Sequence, residues 1–417
     1  QTRLTWEKKA DGRIAVYSLP RSAWPRQSLQ RQVLPNRSEE SSYSGLDSLS
    51  IDGFALLRNR RYALLTNATG LDRNMQAGLA LMRQAGVPPD LVFEPEHGLY
   101  SHKDEILPDG IRLDKKMGVR VLSLYGKHKK PAPYQLRDID LIVVDIQNLP
   151  VRCYTYITTL TYILEVANRM QIEVMVLDRP NPFGFWEAQG SQLNPAYVTF
   201  VSTAPVPFLY SLTPGEYAIY MASTRFFQLP LSVVRVAGYS RNQVDGALRQ
   251  AWINPSPNIP SLESALVYAG VVFLEGTNMS AGRGTSRPFV YSGAPWLQSE
   301  RVVAELNRLN LPGVQFAEVF FEPSTSVYKG QTVRGVQILP VSVDFDPVRT
   351  AYEYLRIVRR FHHEFEMRNH RGTFFMDHIW GGPELRRYIM EDRPYEEFKV
   401  SWAHEAREFE TRVKPYR

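Results

Sequence analysis

Residues 141–184 constrain the fold of this chain more than any other stretch. They contain an apolar run (141–146), apolar residues at helical spacing (159–170) and a second apolar run (174–177). Strand, helix and strand in this order predict a βαβ unit, because neighbouring parallel strands need a long crossover connection. Strands without polar interruptions further predict a parallel sheet that is covered on both faces. We therefore expect an α/β fold.

A carboxylate stands at the end of each apolar run. Asp145 is the last residue but one of the first run, and Asp178 directly follows the second. The carboxyl ends of parallel strands meet at one edge of a sheet, where open α/β proteins build their sites. We therefore predict that Asp145 and Asp178 belong to a catalytic site. Alternatively, Asp145 could cap the next helix, and Asp178 a turn before Pro180. Other polar side chains follow the same strands: Gln147, Asn148, Arg152, Tyr154, Tyr156, Arg179 and Asn181.

The alternation of strands and helices extends on both sides of this unit. A predicted strand at 62–66 precedes Asn67, and another at 91–93 precedes Glu96 and His97. Alternation that continues to residue 236 predicts a Rossmann-like sheet. No GxGxxG turn follows the first strand, so the sequence does not imply a dinucleotide. We expect no cofactor.

Changes in composition divide the chain into three parts. Residues 1–44 are rich in Arg, Ser, Gln and Pro and predict an N-terminal extension, on the surface or partly disordered. A proline-dense loop at 254–260 marks a boundary. We therefore predict a Rossmann-like catalytic domain over 45–253 and a smaller α+β domain over 254–417 that completes the cleft.

The second predicted domain carries a glycine-rich loop at 274–285, which contains Glu275, Asn278 and Arg283. A phosphate-binding loop would need the Walker lysine, which is missing here. We expect the glycines to let the backbone approach a sugar closely.

Composition limits the classes of partner. The net charge is +6, but apart from residues 127–130 and the C-terminal helices the basic residues are scattered, which argues against nucleic-acid binding. No apolar run is long enough to span a membrane. The single cysteine excludes an internal disulfide and a cysteine-ligated zinc, and no other metal-binding cluster stands out. The chain begins at Gln1, and a removed secretory signal would predict an exported protein, periplasmic or extracellular. The sequence predicts no oligomeric state.

Several motifs keep a common order along residues 45–417. They are TNATG (66–70), PEHG (95–98), SLYG (123–126), DIQ (145–147), RCYTYI (152–157), LDRPNP (177–182), PSPN (255–258) and residues 275–285. With these motifs the chain resembles the NamZ-type exo-β-N-acetylmuramidases, a family of peptidoglycan glycosidases with a Rossmann-like domain and a smaller C-terminal domain. The resemblance implies a hydrolase of cell wall recycling that removes N-acetylmuramic acid from the non-reducing end of peptidoglycan fragments such as MurNAc-GlcNAc.

Four places depart from the family pattern: Asn148 with Pro150, Tyr100, Tyr210 and Glu94. Asn148, Tyr100 and Tyr210 motivate an alternative function, a muropeptide- or sugar-binding protein on the same fold whose catalysis has lapsed.

Glycoside hydrolysis needs a carboxylic acid that protonates the leaving oxygen and a second group that activates water or attacks the anomeric carbon. Glu96 matches the family's Glu-His-Gly and is predicted to be the acid. Asp145, Asp178 and Glu275 remain candidates for the second group.

The resemblance also suggests how the sugar is bound. His97 would orient a hydroxyl, and we expect one of Tyr154 and Tyr156, not both, to face the ligand. The lactyl carboxylate of muramic acid suits an arginine, for which Arg152, Arg179 and Arg283 are candidates. We predict one cleft in which Glu96, Asp145, Arg152 and Asp178 face Glu275 and Arg283. The remaining predicted substrate-binding residues are Asn67, Gln147, Asn181, Asn258 and Asn278.

Overall fold

A computed structural model describes residues 2–8, 14–20, 42–225, 227–241 and 252–417. Within the predicted N-terminal extension, β1 (Thr2–Lys8) and β2 (Ile14–Pro20) pair as an antiparallel hairpin. The rest of that extension up to residue 41 lies outside the described residues.

A seven-stranded sheet carries the first part of the molecule, in the order β5-β6-β4-β3-β7-β8-β9. All neighbouring strands are parallel except β5, which runs antiparallel to β6 at one edge. The Rossmann-like α/β prediction is therefore confirmed. The strands are β3 (Tyr62–Thr66), β4 (Leu91–Glu94), β5 (Ile111–Asp114), β6 (Val119–Ser123), β7 (Leu141–Asp145), β8 (Glu173–Leu177) and β9 (Leu231–Val234).

The predicted βαβ unit consists of β7, a helix and β8. The first four α-helices among the described residues are α1 (Gly45–Ile51), α2 (Gly78–Gln84), α3 (Tyr156–Met170) and α4 (Pro214–Thr224), and α3 is the crossover of this unit. Val143 belongs to the core cluster on one face of the sheet, whereas its neighbours Ile142 and Val144 belong to the cluster on the other. Because alternate residues of a strand point to opposite faces, every residue of β7 is buried and the run is apolar throughout.

The C-terminal part is a three-stranded antiparallel sheet with helices, in the order β10-β12-β11. Its strands are β10 (Tyr291–Ala294), β11 (Val314–Phe321) and β12 (Val333–Pro340), with a small hairpin of β13 (Asn369–His370) and β14 (Thr373–Phe374). Its helices are α5 (Leu262–Val271), α6 (Ser299–Arg308), α7 (Pro347–Phe361), α8 (Phe375–Trp380), α9 (Glu384–Met390) and α10 (Tyr395–Val413).

One hydrophobic cluster joins the two parts of the chain. It includes Val144 of the large sheet, Tyr354 of α7 and Trp380 of α8. The core is thus continuous across residues 253 and 254, and the division into two domains at that point stays a prediction. No helix among the described residues is long and apolar enough to cross a membrane.

Candidate active site

A cavity of about 390 Å³ lies between the carboxyl-terminal edge of the large sheet and the C-terminal part. Its walls come from the loops after β4 and β7, the loop before α5, the glycine-rich loop, the β11–β12 loop and α8. Of the predicted site residues it collects six. The lining residues are Glu96, His97, Asp104, Cys153, Tyr154, Thr155, Val201, Ser256, Asn258, Ile259, Tyr268, Val272, Glu275, Arg283, Phe289, Thr325, Ser326, Phe375 and Ile379.

Glu96 reaches the cavity because the chain turns sharply after β4. His97 and Gly98 both adopt left-handed backbone angles, with φ of 72° and 78°. The Thr155 hydroxyl donates a hydrogen bond to the Glu96 carboxylate, and the Tyr125 hydroxyl lies within hydrogen-bonding reach of it. Residues from two other loops, after β6 and β7, therefore hold this carboxylate in one position.

His97 is oriented by a chain of hydrogen bonds that crosses between the two parts of the molecule. Its Nδ1 lies 2.6 Å from the Lys103 carbonyl oxygen and 3.3 Å from Asp104 Oδ1. A carbonyl oxygen can only accept, so Nδ1 carries a proton. Asn258 Nδ2 donates to Asp104 Oδ2 at 2.6 Å. The hydrogen bond from His97 lowers the pKa of Asp104 despite partial burial, so this carboxylate is occupied on both oxygens.

Glu275 and Arg283 form an ion pair on the cavity wall, with Glu275 Oε1 2.6 Å from Arg283 Nε. Arg283 stands between Gly282 and Gly284, which both have positive φ. A Cβ on Gly284 would lie 2.6 Å from the backbone nitrogen of Thr325. The glycines thus permit close packing against the β11–β12 loop. The expectation that they make room for a sugar is wrong at Gly284.

Tyr154 lines the cavity, whereas Tyr156 does not. The Tyr156 hydroxyl donates to the Pro255 carbonyl and lies 3.3 Å from the Glu96 carbonyl oxygen. The buried hydroxyl of Tyr154 lies within reach of the Ser256 and Tyr156 side chains but forms no well-aligned hydrogen bond with them. Since burial raises the pKa of Tyr154, this hydroxyl stays protonated and can donate to a ligand.

Asp145 lies outside the cavity, and its predicted place in the cleft is wrong. It is 1% exposed and forms an ion pair of 2.7 Å with Arg179, which also donates to the Leu71 carbonyl. Burial raises the pKa of Asp145, and the charge of Arg179 opposes that effect. This buried pair ties β7 to the loop after β3, so neither Asp145 nor Arg179 is available to a substrate.

Asp178 is also separated from the cavity. It accepts hydrogen bonds from the Thr213 hydroxyl at 2.8 Å and from the Gly215 backbone nitrogen at 2.7 Å, and so caps the N-terminus of α4. Burial and the nearby charge of Glu216 raise the pKa of Asp178 to about 7. The rule that strand ends build sites holds for β4, but the start of α4 covers the end of β8.

Arg152 is fully buried and cannot face a sugar. It donates to Ser202 Oγ at 3.0 Å, to the carbonyl oxygens of Ser191 and Val206 at 2.9 Å and 2.6 Å, and to the Trp380 carbonyl. The arginine thus holds the loops after β8 to α8, and its predicted contact with the lactyl carboxylate is wrong.

Four predicted amide ligands also hold the protein together instead of lining the cavity. Asn67 donates to the Tyr156 hydroxyl at 3.0 Å, and Gln147 donates to the Pro180 carbonyl at 3.0 Å. Asn181 and Asn278 each accept a backbone N–H, from Phe183 and Glu366 respectively.

Several lining residues are absent from the predicted site. Thr155 and Ser256 lie inside quoted motifs and could have been found there. Asp104, Tyr268, Phe289, Thr325, Ser326 and Phe375 stand in stretches without a motif, and only the fold brings them to the cavity. No group of three or more His, Cys, Asp or Glu side chains in the described part of the chain could hold a metal ion.

Three of the residues that depart from the family pattern form hydrogen bonds with one another outside the cavity. Asn148 donates to the Tyr210 hydroxyl, and the Tyr210 backbone nitrogen donates to the Pro150 carbonyl at 3.2 Å. Three of the departing residues therefore contact each other in the interior.

The other two departures each have a partner of their own. The Tyr100 hydroxyl donates to Asp114 at 3.0 Å, and Arg112 pairs with the buried Glu94 at 2.7 Å. None of the departing residues lines the cavity.

The fold and the site together define an α/β protein whose two sequence halves enclose a cavity lined with carboxylates. Two family models match the chain: the N-terminal domain of exo-β-N-acetylmuramidase NamZ over residues 62–263, and its C-terminal domain over residues 266–417. The peptidoglycan β-N-acetylmuramidase NamZ of Bacillus subtilis (strain 168) is 34% identical over 379 residues, which cover 89% of this chain and 90% of that protein. The chain belongs to the NamZ family of exo-β-N-acetylmuramidases.

Solved structures agree with this assignment. A DUF1343 family protein from Bacteroides fragilis superposes with a TM-score of 0.81 at 30% identity, over 90% of this chain and 98% of that one. A second such protein from the same organism has a TM-score of 0.71 at 24% identity over the same shares of the two chains, and shows the fold alone.

Proposed function

We propose that this chain is a hydrolase that removes N-acetylmuramic acid from the non-reducing end of peptidoglycan fragments. Membership of the NamZ family supports a peptidoglycan glycosidase. The observation that carries the finer assignment is the cavity, which places Glu96 and Glu275 on walls from different halves of the chain and has room for a sugar.

In this proposal Glu96 protonates the leaving glycosidic oxygen. Of the three candidates for the second group, only Glu275 lines the same cavity. Asp104 lines the cavity too, but its two carboxylate oxygens already accept hydrogen bonds from His97 and Asn258. Glu275 therefore supplies the second carboxylate, and Arg283 compensates its charge before the reaction.

The stereochemistry of the product distinguishes the two roles open to Glu275. Retention of the β-configuration would make it a nucleophile, and inversion would make it the base that activates water. Proton NMR of the first product formed from MurNAc-GlcNAc separates these outcomes.

The decisive experiment compares Glu96→Gln on two substrates. An amide cannot deliver a proton, and general acid catalysis contributes about 100- to 10,000-fold. Turnover of MurNAc-GlcNAc should fall by this factor, whereas a nitrophenyl β-N-acetylmuramide, whose leaving group needs little protonation, should lose less at the bond-breaking step.

Glu94→Gln is the matched control for this experiment, because Glu94 is nearby in sequence but pairs with Arg112 outside the cavity. It should slow both substrates to a similar extent. Hydrolysis of the disaccharide by Glu96→Gln at the wild-type rate would refute the role of Glu96.

The alternative of a lapsed, sugar-binding protein is not favoured. Its motivation was the set of departures from the family pattern, and those residues contact one another or other residues outside the cavity. Release of N-acetylmuramic acid by the wild-type chain separates the two functions directly.

We propose in addition that the protein acts in cell wall recycling and is exported to the periplasm or the extracellular space. The support is the substrate class, since peptidoglycan lies outside the cytoplasmic membrane. Immunodetection in fractions of the source organism tests the location, and accumulation of muramyl disaccharides in a deletion strain tests recycling.

A further inference from the structure

The charges of the cavity do not match an acidic sugar. Glu96, Asp104 and Glu275 contribute three carboxylates, and Arg283 is the one arginine or lysine among the lining residues that the structure describes. Arg283 already pairs with Glu275. Muramic acid carries a carboxylate on its lactyl ether. Of the three predicted arginines, Arg152 and Arg179 do not line the cavity and Arg283 shares its charge with Glu275, so a further cation would favour binding of this sugar.

Lys129 is a cation at the edge of this cavity. Its Nζ lies 3.7 Å from the ring centroid of Tyr125 and 4.7 Å from that of Phe200. The Tyr125 hydroxyl is within hydrogen-bonding reach of Glu96, and Phe200 precedes Val201, which lines the cavity. The two rings therefore hold the ammonium group next to the proposed acid.

The ammonium of Lys129 is half-buried and forms no ion pair with a described carboxylate. Burial lowers the pKa of Lys129, and the charges of Glu96 and Asp109 only partly oppose that effect. The faces of two aromatic rings offset some of the lost hydration. A cation held in this way is available to an anion that enters the cavity.

The neighbouring lysine is different and provides an internal comparison. Lys130 also lies over a ring, 4.0 Å from the centroid of Tyr162, but its Nζ forms an ion pair of 2.7 Å with Glu165. Lys130 is therefore neutralised within the protein.

We propose that Lys129 binds the carboxylate of the substrate and that this carboxylate is the free lactyl group of muramic acid. This inference rests on the proposed glycosidase function. It identifies Lys129 as a residue that determines which sugar the enzyme accepts. Lys129 thereby selects N-acetylmuramic acid over N-acetylglucosamine, which has no lactyl group.

The test measures kcat/KM on three disaccharides: MurNAc-GlcNAc, its lactyl methylamide, and the same disaccharide carrying a dipeptide on the lactyl group. A hydrogen bond to a charged group corresponds to about 10- to 100-fold. The wild-type chain should prefer the free acid over the methylamide by this factor. K129M should abolish the preference, K129R should keep part of it, and K130M should keep all of it.

Three results would overturn the inference. K129M could slow the acid and the methylamide equally, K130M could abolish the preference as K129M does, or the loss in K129M could be confined to the dipeptide substrate. The last result would assign the carboxylate to the peptide. The melting temperature of each variant is measured as a control, and a value equal to that of the wild type excludes a folding defect. If the wild-type chain released no sugar from any substrate, the proposed function itself would fail.

Discussion

The hydroxyl of Tyr154 is buried beside the cavity, and Ser256 and Tyr156 lie within its reach without a well-aligned hydrogen bond. A buried donor without a well-made hydrogen bond costs free energy, and we expect a ligand to supply a better acceptor. Tyr154→Phe should raise KM for MurNAc-GlcNAc by about 2- to 12-fold, which corresponds to one neutral hydrogen bond. Steady-state kinetics measure this, and the melting temperature should stay the same or rise.

Tyr156→Phe is the control for that substitution. It removes a hydroxyl that donates to the Pro255 carbonyl and accepts from Asn67, and should therefore lower the melting temperature. If Tyr154→Phe destabilised the protein to the same extent without a change in KM, the hydroxyl would have a structural role.

Residue type alone could not separate catalytic from structural carboxylates. Asp145 and Glu96 both stand at the carboxyl end of a strand, as the sequence indicates. What distinguishes them is the partner: Asp145 pairs with Arg179, which follows β8, and Glu96 accepts from Thr155 in the loop after β7. These partners are distant in sequence from the carboxylates that they contact. The amino-acid sequence alone therefore does not show which partner each carboxylate has.

At the scale of elements, the junction of β8 and α4 depends on the protonation of Asp178. Its pKa is about 7 when folded and near 3.8 when unfolded, so between these values the folded state binds more protons. The contribution of Asp178 to stability is therefore largest in acid and is lost as the pH rises through 7. One pKa unit corresponds to about 1.4 kcal/mol.

The substitution Asp178→Asn tests this linkage. The variant should show a smaller decrease in the free energy of unfolding between pH 4 and pH 7.5 than the wild type, by a few kcal/mol. Urea titrations at a series of pH values measure the difference. Parallel pH profiles for the two proteins would mean that Asp178 is ionised throughout.

The first residue of α8, Phe375, exposes an aromatic ring at the mouth of the cavity. A sugar that extends from the cavity would stack on this ring. Phe375→Ala should raise KM for MurNAc-GlcNAc by about 2- to 12-fold, the range expected for an aromatic contact. We expect free N-acetylmuramic acid to bind among the buried lining residues, so inhibition by this sugar should not change.

Phe374→Ala serves as the control, because the Phe374 ring lies over Arg386 at 3.9 Å and does not line the cavity. Equal weakening of the disaccharide and of free N-acetylmuramic acid by Phe375→Ala would show that the ring shapes the inner part of the cavity.

Elements were more accessible to prediction than the site. The strands β7 and β8 were evident because both faces of the sheet are covered, which makes their sequences apolar throughout. The β11–β12 loop, which brings Thr325 and Ser326 to the cavity, was not evident. The position of this loop depends on its packing against Gly284. The spacing of apolar residues along the sequence gives no sign of such a contact.

At the scale of the whole molecule, Arg152 joins the Rossmann-like part to the C-terminal part. Arg152→Met would leave four acceptors without a donor, each at a cost of about 1–3 kcal/mol. The free energy of unfolding should fall by at least about 3 kcal/mol in urea titrations. The preference for muramic acid over N-acetylglucosamine should persist in the folded protein.

Arg308→Met is the control, because the ion pair of Arg308 with Glu305 is exposed and screened by solvent, so its loss should leave the free energy of unfolding nearly unchanged. A loss of sugar preference in Arg152→Met without a loss of stability would restore Arg152 to the binding site.

The lining of the cavity changes from buried side chains such as Tyr268 and Phe289 to exposed ones such as Ser326 and Phe375. After cleavage, the sugar bound among the buried residues can leave only through the mouth of the cavity, where the other product is still bound. The two products of cleavage should therefore depart in a fixed order, with N-acetylglucosamine first. Free N-acetylmuramic acid should then compete with substrate for the empty enzyme, whereas N-acetylglucosamine should inhibit in a mixed manner.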